Sequence, residues 1–184
     1  MSDDRSQNSP VSGLGKTLEG KYLTFALARE EYGIGILTVR EIIGLMPIRT
    51  VPQTPTFVKG VINLRGKVIP VVDLRMKFGM EEIEHTERTS IIVVDVGGTI
   101  ADKPPMNIGI VVDYVSEDIN IKADEIEAPP AFGADLNTEY ILGMAKVNQS
   151  VKILLDINRI LGAEDLSSQL SNLALSSTST STPT

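Results

Sequence analysis

The stretch GVINLRGKVIPVVDLRMKF, residues 60–78, decides the fold of this chain, because it contains two apolar strands joined by a tight turn. Asn63 and Gly66 favour that turn, since asparagine hydrogen-bonds to its own backbone and glycine tolerates positive φ. The turn displays Arg65 near its tip. We therefore predict a core hairpin that carries one exposed cation.

An aspartate follows the second strand of this hairpin. The Asp73 carboxylate can accept hydrogen bonds from the backbone N–H groups that begin a short helix over residues 74–78. In the same way, Asp156 is predicted to cap a last helix over residues 157–161. Two or more aliphatic residues followed by aspartate occur four times, at Asp73, Asp95, Asp113 and Asp156.

Aspartates at strand ends could also have a chemical function. Clustered carboxylates bind Mg²⁺, and Asp73 or Asp113 could accept a phosphoryl group. Such clusters normally lie on parallel sheets with helices between the strands, whereas this chain predicts hairpins. Capping and strand termination are therefore favoured, and no catalytic residue, metal site or cofactor is predicted. His85 lies in a polar connector and is interpreted as a solvated side chain.

Length and composition favour one domain, or two small packed units, built mainly from sheet. The chain has 184 residues, of which 42% are hydrophobic and 4% aromatic, and it has no tryptophan. The core should therefore consist of Ile, Val and Leu, and β-branched residues prefer strands.

Charge and cysteine content exclude several classes of function. The net charge of −7 and the absence of a basic run argue against nucleic-acid binding, which depends on neutralising phosphates. The chain has no cysteine, so disulfides and thiolate metal sites are impossible. The sequence has neither a signal-peptide pattern nor a membrane-spanning apolar run. We expect a cytoplasmic protein that does not insert into the membrane.

Apolar alternation between turn signals predicts short strands at close spacing, which favours β-barrels over a βαβ sheet. Residues 36–45 fit either a short helix or a turn and strand, because Ile36, Val39 and Ile43 recur at helical spacing. We interpret them as a helix. Besides the hairpin above, strands are predicted over residues 22–27, 32–36, 90–96, 108–112, 119–121, 140–147 and 151–155.

Both ends of the chain lack a strong apolar period. Residues 1–19 are interpreted as a flexible leader. Residues 167–184 are interpreted as a disordered Ser/Thr-rich tail, which is weakly amphipathic only through Leu175. The folded domain is therefore predicted over residues 20–166.

Several segments, in the same order, closely resemble the CheW family of chemotaxis coupling proteins. The similarity runs from residue 21 to about residue 161 and includes EYGI (31–34), VREI (39–42), VPQTP (51–55), residues 60–75, and GIVVDYV (109–115). The resemblance implies a mainly β fold with a few short helices. Two small five-stranded β-barrels would pack on a common aliphatic core, with the last helix returning to the first barrel.

The resemblance also implies a function. Proteins of this family are non-enzymatic adaptors in bacterial chemotaxis signalling that couple the cytoplasmic tips of methyl-accepting chemoreceptors to the histidine kinase CheA. A member would be recruited to membrane-associated chemoreceptor arrays. The alternative is a similar scaffold in a chemosensory pathway whose output is not swimming.

Two sets of contact residues follow from the resemblance. A helical receptor tip would bury apolar side chains in a groove, with Glu41 and Arg65 as an ion pair at its rim. Residues matching the receptor-facing groove are Ile36, Val39, Glu41, Gly60, Arg65, Thr89, Ile91, Gly109 and Val115. Residues matching the kinase-facing surface, which meets the regulatory domain of CheA, are Ile48 and Val68, with Phe132 as a second contact.

Overall fold

Two β-sheets form the framework of the computed structural model, which describes residues 13–97, 105–130 and 139–161. Three short helices accompany them: α1 (Gly13–Leu18), α2 (Leu74–Lys77) and α3 (Ile157–Leu161). In chain order the strands are β1 Gly20–Leu27, β2 Glu30–Gly35, β3 Val39–Gly44, β4 Val58–Leu64, β5 Lys67–Asp73, β6 Ser90–Val96, β7 Met106–Val112, β8 Tyr114–Ile121, β9 Ile126–Glu127, β10 Ile141–Val147 and β11 Ser150–Leu155.

The chain starts in one sheet, crosses to the other and returns. The six-stranded sheet has the order β8-β1-β2-β11-β10-β9, and the five-stranded sheet has the order β3-β6-β7-β5-β4. Most neighbours are antiparallel, whereas β11 with β2 and β5 with β7 are parallel pairs. The mainly β fold with few short helices is confirmed. One sheet has a sixth strand, the two-residue β9, and closure of each sheet into a barrel stays a prediction.

The hairpin of β4 and β5 has the turn that the sequence predicts. Leu64 pairs with Lys67, which leaves Arg65 and Gly66 as a two-residue turn with φ of 52° and 85°. Two positive φ values are the signature of a type I′ turn, whose twist matches that of the strands. The Asn63 Oδ1 accepts a hydrogen bond from the Gly66 N–H at 2.9 Å. The tip is therefore well ordered and Arg65 projects from it.

The largest cluster of buried side chains contains residues from both sheets. Phe25 and Ile34 come from the six-stranded sheet and Ile92 and Ile110 from the five-stranded sheet, and all four are completely buried. Burying one such side chain contributes about 1.5–3 kcal/mol. The predicted common aliphatic core is confirmed.

Each sheet also has a cluster of its own. The five-stranded sheet has Ile62, Ile69, Val71, Ile91, Val93 and Val111, which we call the five-strand cluster. The six-stranded sheet has Tyr22, Ile121, Ile126, Ala145 and Leu154.

The predicted helix over residues 36–45 is wrong. A single 3₁₀ turn, Ile36–Thr38, leads into β3, which pairs with β6 as an edge strand of the five-stranded sheet. The register shifts between Val39 and Glu41, which marks a bulge. Burial still alternates along β3, but the apolar Ile42 is exposed and the charged Glu41 is half-buried, so the hydrophobic pattern of the sequence does not follow the alternation of the strand.

One predicted strand is longer in the structure, and the last helix has its predicted bounds. The strand predicted over residues 119–121 is the end of β8, which starts at Tyr114 and pairs with β1. Its middle residues, Ser116 to Asp118, are all exposed and polar. The sequence therefore shows no alternation of apolar and polar residues there. The last helix, α3, packs into the core between the sheets and contacts β6 of the five-stranded sheet. That core also contains Phe25 of β1, so the predicted return of this helix to the first barrel stays a prediction.

The predicted leader is partly ordered. Residues 13–18 form α1, which packs against the segment around Ala123. Gly15 is buried there, and a Cβ at this position would lie 2.3 Å from the Ala123 carbonyl oxygen. The remaining predictions for the leader and the Ser/Thr tail lie outside the described residues.

The four aspartates have separate structural partners. The Asp73 carboxylate accepts a hydrogen bond from the Met76 N–H at 3.3 Å, and that of Asp156 from the Asn158 N–H at 3.0 Å. Both are therefore helix caps, as predicted. Asp95 lies within β6 and pairs with Arg40. Within the described ranges, no group of three or more carboxylate or imidazole side chains could hold a metal ion.

Asp113 joins the two sheets. It lies between β7 and β8, where the chain crosses from one sheet to the other. Its Oδ1 accepts a hydrogen bond from Arg75 Nε, and its Oδ2 accepts one from Arg75 Nη2, both at 2.7 Å. The N–H of Ala28, in the turn between β1 and β2, donates to Oδ2 at 2.8 Å. One carboxylate thus connects α2 to the first hairpin.

Candidate functional site

Three of the nine predicted groove residues lie in one row across the five-stranded sheet. Glu41 on β3 pairs with Val93 on β6, Val93 pairs with Gly109 on β7, Gly109 pairs with Val71 on β5, and Val71 pairs with Gly60 on β4. Directly paired residues share a face of the sheet. Glu41 and Gly109 are 68 positions apart in the sequence. The fold therefore brings distant residues into one row.

Ile91 and Gly109 are interior residues on this face. Ile91 is completely buried, as part of the five-strand cluster. A Cβ at Gly109 would lie 2.8 Å from Ile91 Cγ2, so the glycine provides space for the isoleucine. The buried Ile91 side chain is not available to a partner in this structure, and the missing side chain of Gly109 makes room for it.

Gly60 and Thr89 are also buried. Gly60 has a φ of 141°, and a Cβ there would lie 1.8 Å from the Arg49 carbonyl oxygen. Arg49 pairs with Val61 through hydrogen bonds of 2.9 and 2.8 Å, so its backbone crosses directly over the glycine. The Thr89 Oγ1 accepts a hydrogen bond from the Thr86 N–H at 2.8 Å, which fixes the entry to β6.

Glu41 and Arg65 form the ion pair that the resemblance implies. Arg65 Nη1 donates to Glu41 Oε2 at 2.8 Å, and Nη2 donates to Oε1, so the pair is bidentate. The side chain of Arg65 is 72% exposed and that of Glu41 25%. The hydrogen bond from Arg65 lowers the pKa of Glu41, which keeps the carboxylate ionised.

This pair spans the two edges of the five-stranded sheet. Glu41 belongs to β3 at one edge, and Arg65 is at the tip of the hairpin that contains β4 at the other edge. The sheet therefore curls until its edges approach each other. The backbone pairing of Arg49 with Val61 ties the same edges together.

Ile36, Val39 and Val115 lie where the two sheets meet. All three are half-buried and pack against the rim of the common core. Ile36 and Val39 belong to the connection from β2 to β3, which passes from one sheet to the other, and Val115 belongs to the edge strand β8. Ile36 and Val39 lie on the segment that leads to Glu41, and Val115 pairs with Phe25 on the neighbouring strand β1.

Leu37 is a surface residue that the sequence reasoning missed. It is 95% exposed, in the 3₁₀ turn between Ile36 and Val39. Ile42 and Leu45 follow on the same segment and are 46% and 38% exposed. Leu37 thus lies on the surface between two residues that the resemblance assigns to the receptor groove. The apolar run itself gave no sign of which member would face solvent.

The predicted kinase-facing residues are less closely grouped. Ile48 is half-buried and packs against the five-strand cluster, whereas Val68 on β5 is 42% exposed. Phe132 lies outside the described residues.

Within the described ranges, no helix is both long and apolar enough to cross a membrane.

Comparisons with known proteins agree with this architecture. A family model for the CheW-like domain matches residues 21–165. The chain is 39% identical over 152 residues to the chemotaxis protein CheW of Klebsiella aerogenes, an alignment that covers 83% of this chain and 87% of that protein. It is 34% identical over 141 residues to the chemotaxis protein CheW of Helicobacter pylori, with 77% and 81% covered.

A solved structure gives the same result in three dimensions. The scaffolding protein TtCheW from Thermoanaerobacter tengcongensis superposes with a TM-score of 0.69 at 34% sequence identity, and the match covers 79% of this chain and 94% of that one. Sequence and fold therefore agree over most of the chain. The chain belongs to the CheW-like domain family.

Proposed function

We propose that this chain couples the cytoplasmic tips of chemoreceptors to the histidine kinase CheA, and that it does so without catalysing a reaction. The relatives are named chemotaxis proteins and the structural neighbour is named a scaffolding protein, which supports an adaptor role in chemotaxis signalling. Recruitment from the cytoplasm to receptor arrays at the membrane belongs to the same proposal.

The receptor-binding surface of this proposal is the seam between the sheets. We define the seam surface as Ile36, Leu37, Val39, Glu41, Arg65 and Val115. A helix can place an apolar stripe along such a surface, while the charged pair at the side limits its register. The observation that carries the proposal is the 95% exposure of Leu37 beside half-buried apolar neighbours.

The buried members of the predicted groove have an indirect role in this proposal. Gly60, Thr89, Ile91 and Gly109 set the positions of the strands that present the seam surface. Their substitution would reduce receptor binding only by disturbing the fold. A measurement of the unfolding free energy would detect that disturbance. The kinase surface is proposed to contain Ile48, Val68 and Phe132.

The test is the affinity of a receptor cytoplasmic fragment for variants that keep their fold. We expect Val39→Met and Arg65→Asp to reduce receptor binding strongly while circular dichroism and the unfolding midpoint stay close to those of the unmodified chain. Lys146→Asp is the matched control, because Lys146 also belongs to an exposed ion pair, with Glu127, on β10 at the far side of the six-stranded sheet. Unchanged receptor affinity in both folded variants would refute the seam surface.

Leu37→Ser should separate binding from stability. Since the side chain is almost fully exposed, its loss should leave the unfolding midpoint unchanged. If a receptor helix covers it, affinity should fall about 10- to 100-fold, corresponding to the roughly 1.5–3 kcal/mol of a buried leucine. Val151→Ser is the control, at an apolar residue on β11 that is 48% exposed. Equal affinity in both variants would remove Leu37 from the interface.

A further inference from the structure

An apolar groove lies between the end of α2 and the six-stranded sheet. Its volume is about 340 Å³, and the residues that line it include Tyr32 of β2, Phe78 directly after α2, Tyr140, and Ile153 of β11. The rings of Tyr32 and Phe78 form one wall, with their centroids 6.0 Å apart. Pockets that bind small molecules are mostly apolar and have volumes of about 300–1,000 Å³. The groove is therefore large enough for a small ligand.

Tyr32 brings a hydroxyl group to this groove. The residue is only 7% exposed, and its hydroxyl forms no hydrogen bond with any other described residue. Every fully buried side-chain oxygen of the described residues has a hydrogen-bond partner, so this hydroxyl is not sealed inside the core. Since Tyr32 lines the groove, the hydroxyl is accessible from there. Buried tyrosine hydroxyls usually have a partner, and this O–H group is available to donate to a ligand.

Lys77 adds a positive charge to the same groove. The side chain is half-buried, and its Nζ lies 4.4 Å from the centroid of the Phe57 ring. Among the described residues, Lys77 has no ion pair with a carboxylate. Burial lowers the pKa of Lys77, because the charged ammonium group loses part of its hydration. A ligand with a negative charge would offset part of this cost.

We propose that this groove binds a small aromatic carboxylate. The ring of the ligand packs against the Tyr32 and Phe78 rings, since aromatic groups attract each other in offset-stacked and edge-to-face arrangements. Its carboxylate accepts a hydrogen bond from the Tyr32 hydroxyl and pairs with the Lys77 ammonium group. A cavity of about 150 Å³ holds benzene. The 340 Å³ of this groove therefore accommodates a ring with a short carboxylate arm.

The bound ligand contacts elements from both halves of the fold. Helix α2 directly follows β5 of the five-stranded sheet, whereas Tyr32 and Ile153 belong to the six-stranded sheet. Binding therefore stabilises the folded arrangement in which the two halves meet, and it should raise the unfolding midpoint. No residue that lines the groove belongs to the seam surface, so ligand binding does not depend on the proposed receptor contact.

Calorimetric titration of the full chain with 3-phenylpropionate tests the proposal. We expect saturable binding with a dissociation constant of about 1 mM or lower. The uncharged 3-phenylpropionamide has nearly the same shape and should bind at least about fivefold more weakly. Lys77→Met keeps an apolar side chain of similar length, so this variant should bind the acid and the amide equally. Lys67→Met is the matched control, because Lys67 is an exposed lysine on β5 that does not line the groove, and this variant should keep the preference for the acid.

Equal affinity of the unmodified chain for the acid and the amide would overturn the proposal, and so would the absence of saturable binding up to about 10 mM. Tyr32→Phe keeps the ring and should weaken binding of the acid about 3- to 10-fold, because it removes one hydrogen bond to the carboxylate. Unchanged affinity in this variant would contradict the role of the hydroxyl. Backbone amide signals in NMR spectra should shift most at Tyr32 and Ile153 when the acid is added, and largest shifts elsewhere would refute the site.

Discussion

Replacing Gly60 with alanine is expected to destabilise the protein by roughly 3–5 kcal/mol, one of the largest effects of any single methyl group in this chain. The new Cβ would lie 1.8 Å from the Arg49 carbonyl oxygen, so the backbone pairing of Arg49 with Val61 must open. Chemical denaturation of the purified variant measures the loss.

Gly20→Ala is the matched control for this prediction. Gly20 has a φ of 148°, close to the 141° of Gly60, but no heavy atom lies within 4 Å of its added Cβ. It should lose only the backbone strain, about 1–2 kcal/mol. Similar losses in the two variants would show that strain alone matters. The crossing of Arg49 over Gly60 would then be wrong.

Removing the Asp113 carboxylate should cost about 2–4 kcal/mol, because Asp113→Ala leaves Arg75 and the Ala28 N–H without their partner. The two side chains are only 15% and 13% exposed, so water replaces the lost bonds poorly. Asp118→Ala, on the strand β8 that follows Asp113, should change the unfolding midpoint little, since its pair with Lys21 is half-exposed. Equal effects of the two substitutions would contradict the role of Asp113 as the link between the sheets.

The contribution of Asp113 should also depend on pH. Burial alone would raise its pKa, but hydrogen bonds from Arg75 and the Ala28 N–H outweigh burial and lower it. A lowered folded-state pKa stabilises the protein above the unfolded-state pKa of about 3.9, and this stability is lost as the pH falls through the lower, folded-state value. The difference in unfolding free energy between the unmodified chain and Asp113→Asn should therefore shrink below about pH 4. A constant difference would refute the ionic link.

Local sequence signals predicted the hairpins and helix caps well. The turn at Arg65 and Gly66, the strand Ser90–Val96 and the caps at Asp73 and Asp156 each depend on a few adjacent residues. Such signals are sufficient because turn and cap geometry is set by local hydrogen bonds and φ preferences. The prediction for residues 36–45 was wrong because Ile42 is exposed and Glu41 is half-buried on this edge strand, which hides the alternation of burial from the sequence.

The proposed receptor-binding surface depends on pairing between distant strands, which no local pattern encodes. The resemblance supplied Glu41 and Arg65 as a pair, but the curl of the five-stranded sheet explains why opposite edges meet. The structure also places Ile91 and Gly109 in the interior, where the isoleucine packs over the glycine and is not exposed to a partner protein. The exposure of Leu37 follows from a 3₁₀ turn in a segment that was interpreted as a longer helix.

The most direct test of the proposed coupling is the retention of CheA on an immobilised receptor fragment, with and without this chain. The proposal predicts that CheA is retained only when the chain is added. The Arg65→Asp variant should still bind CheA in solution but fail to retain it on the receptor. Equal retention of CheA without the chain, or none with a chain that binds CheA in solution, would contradict the coupling role.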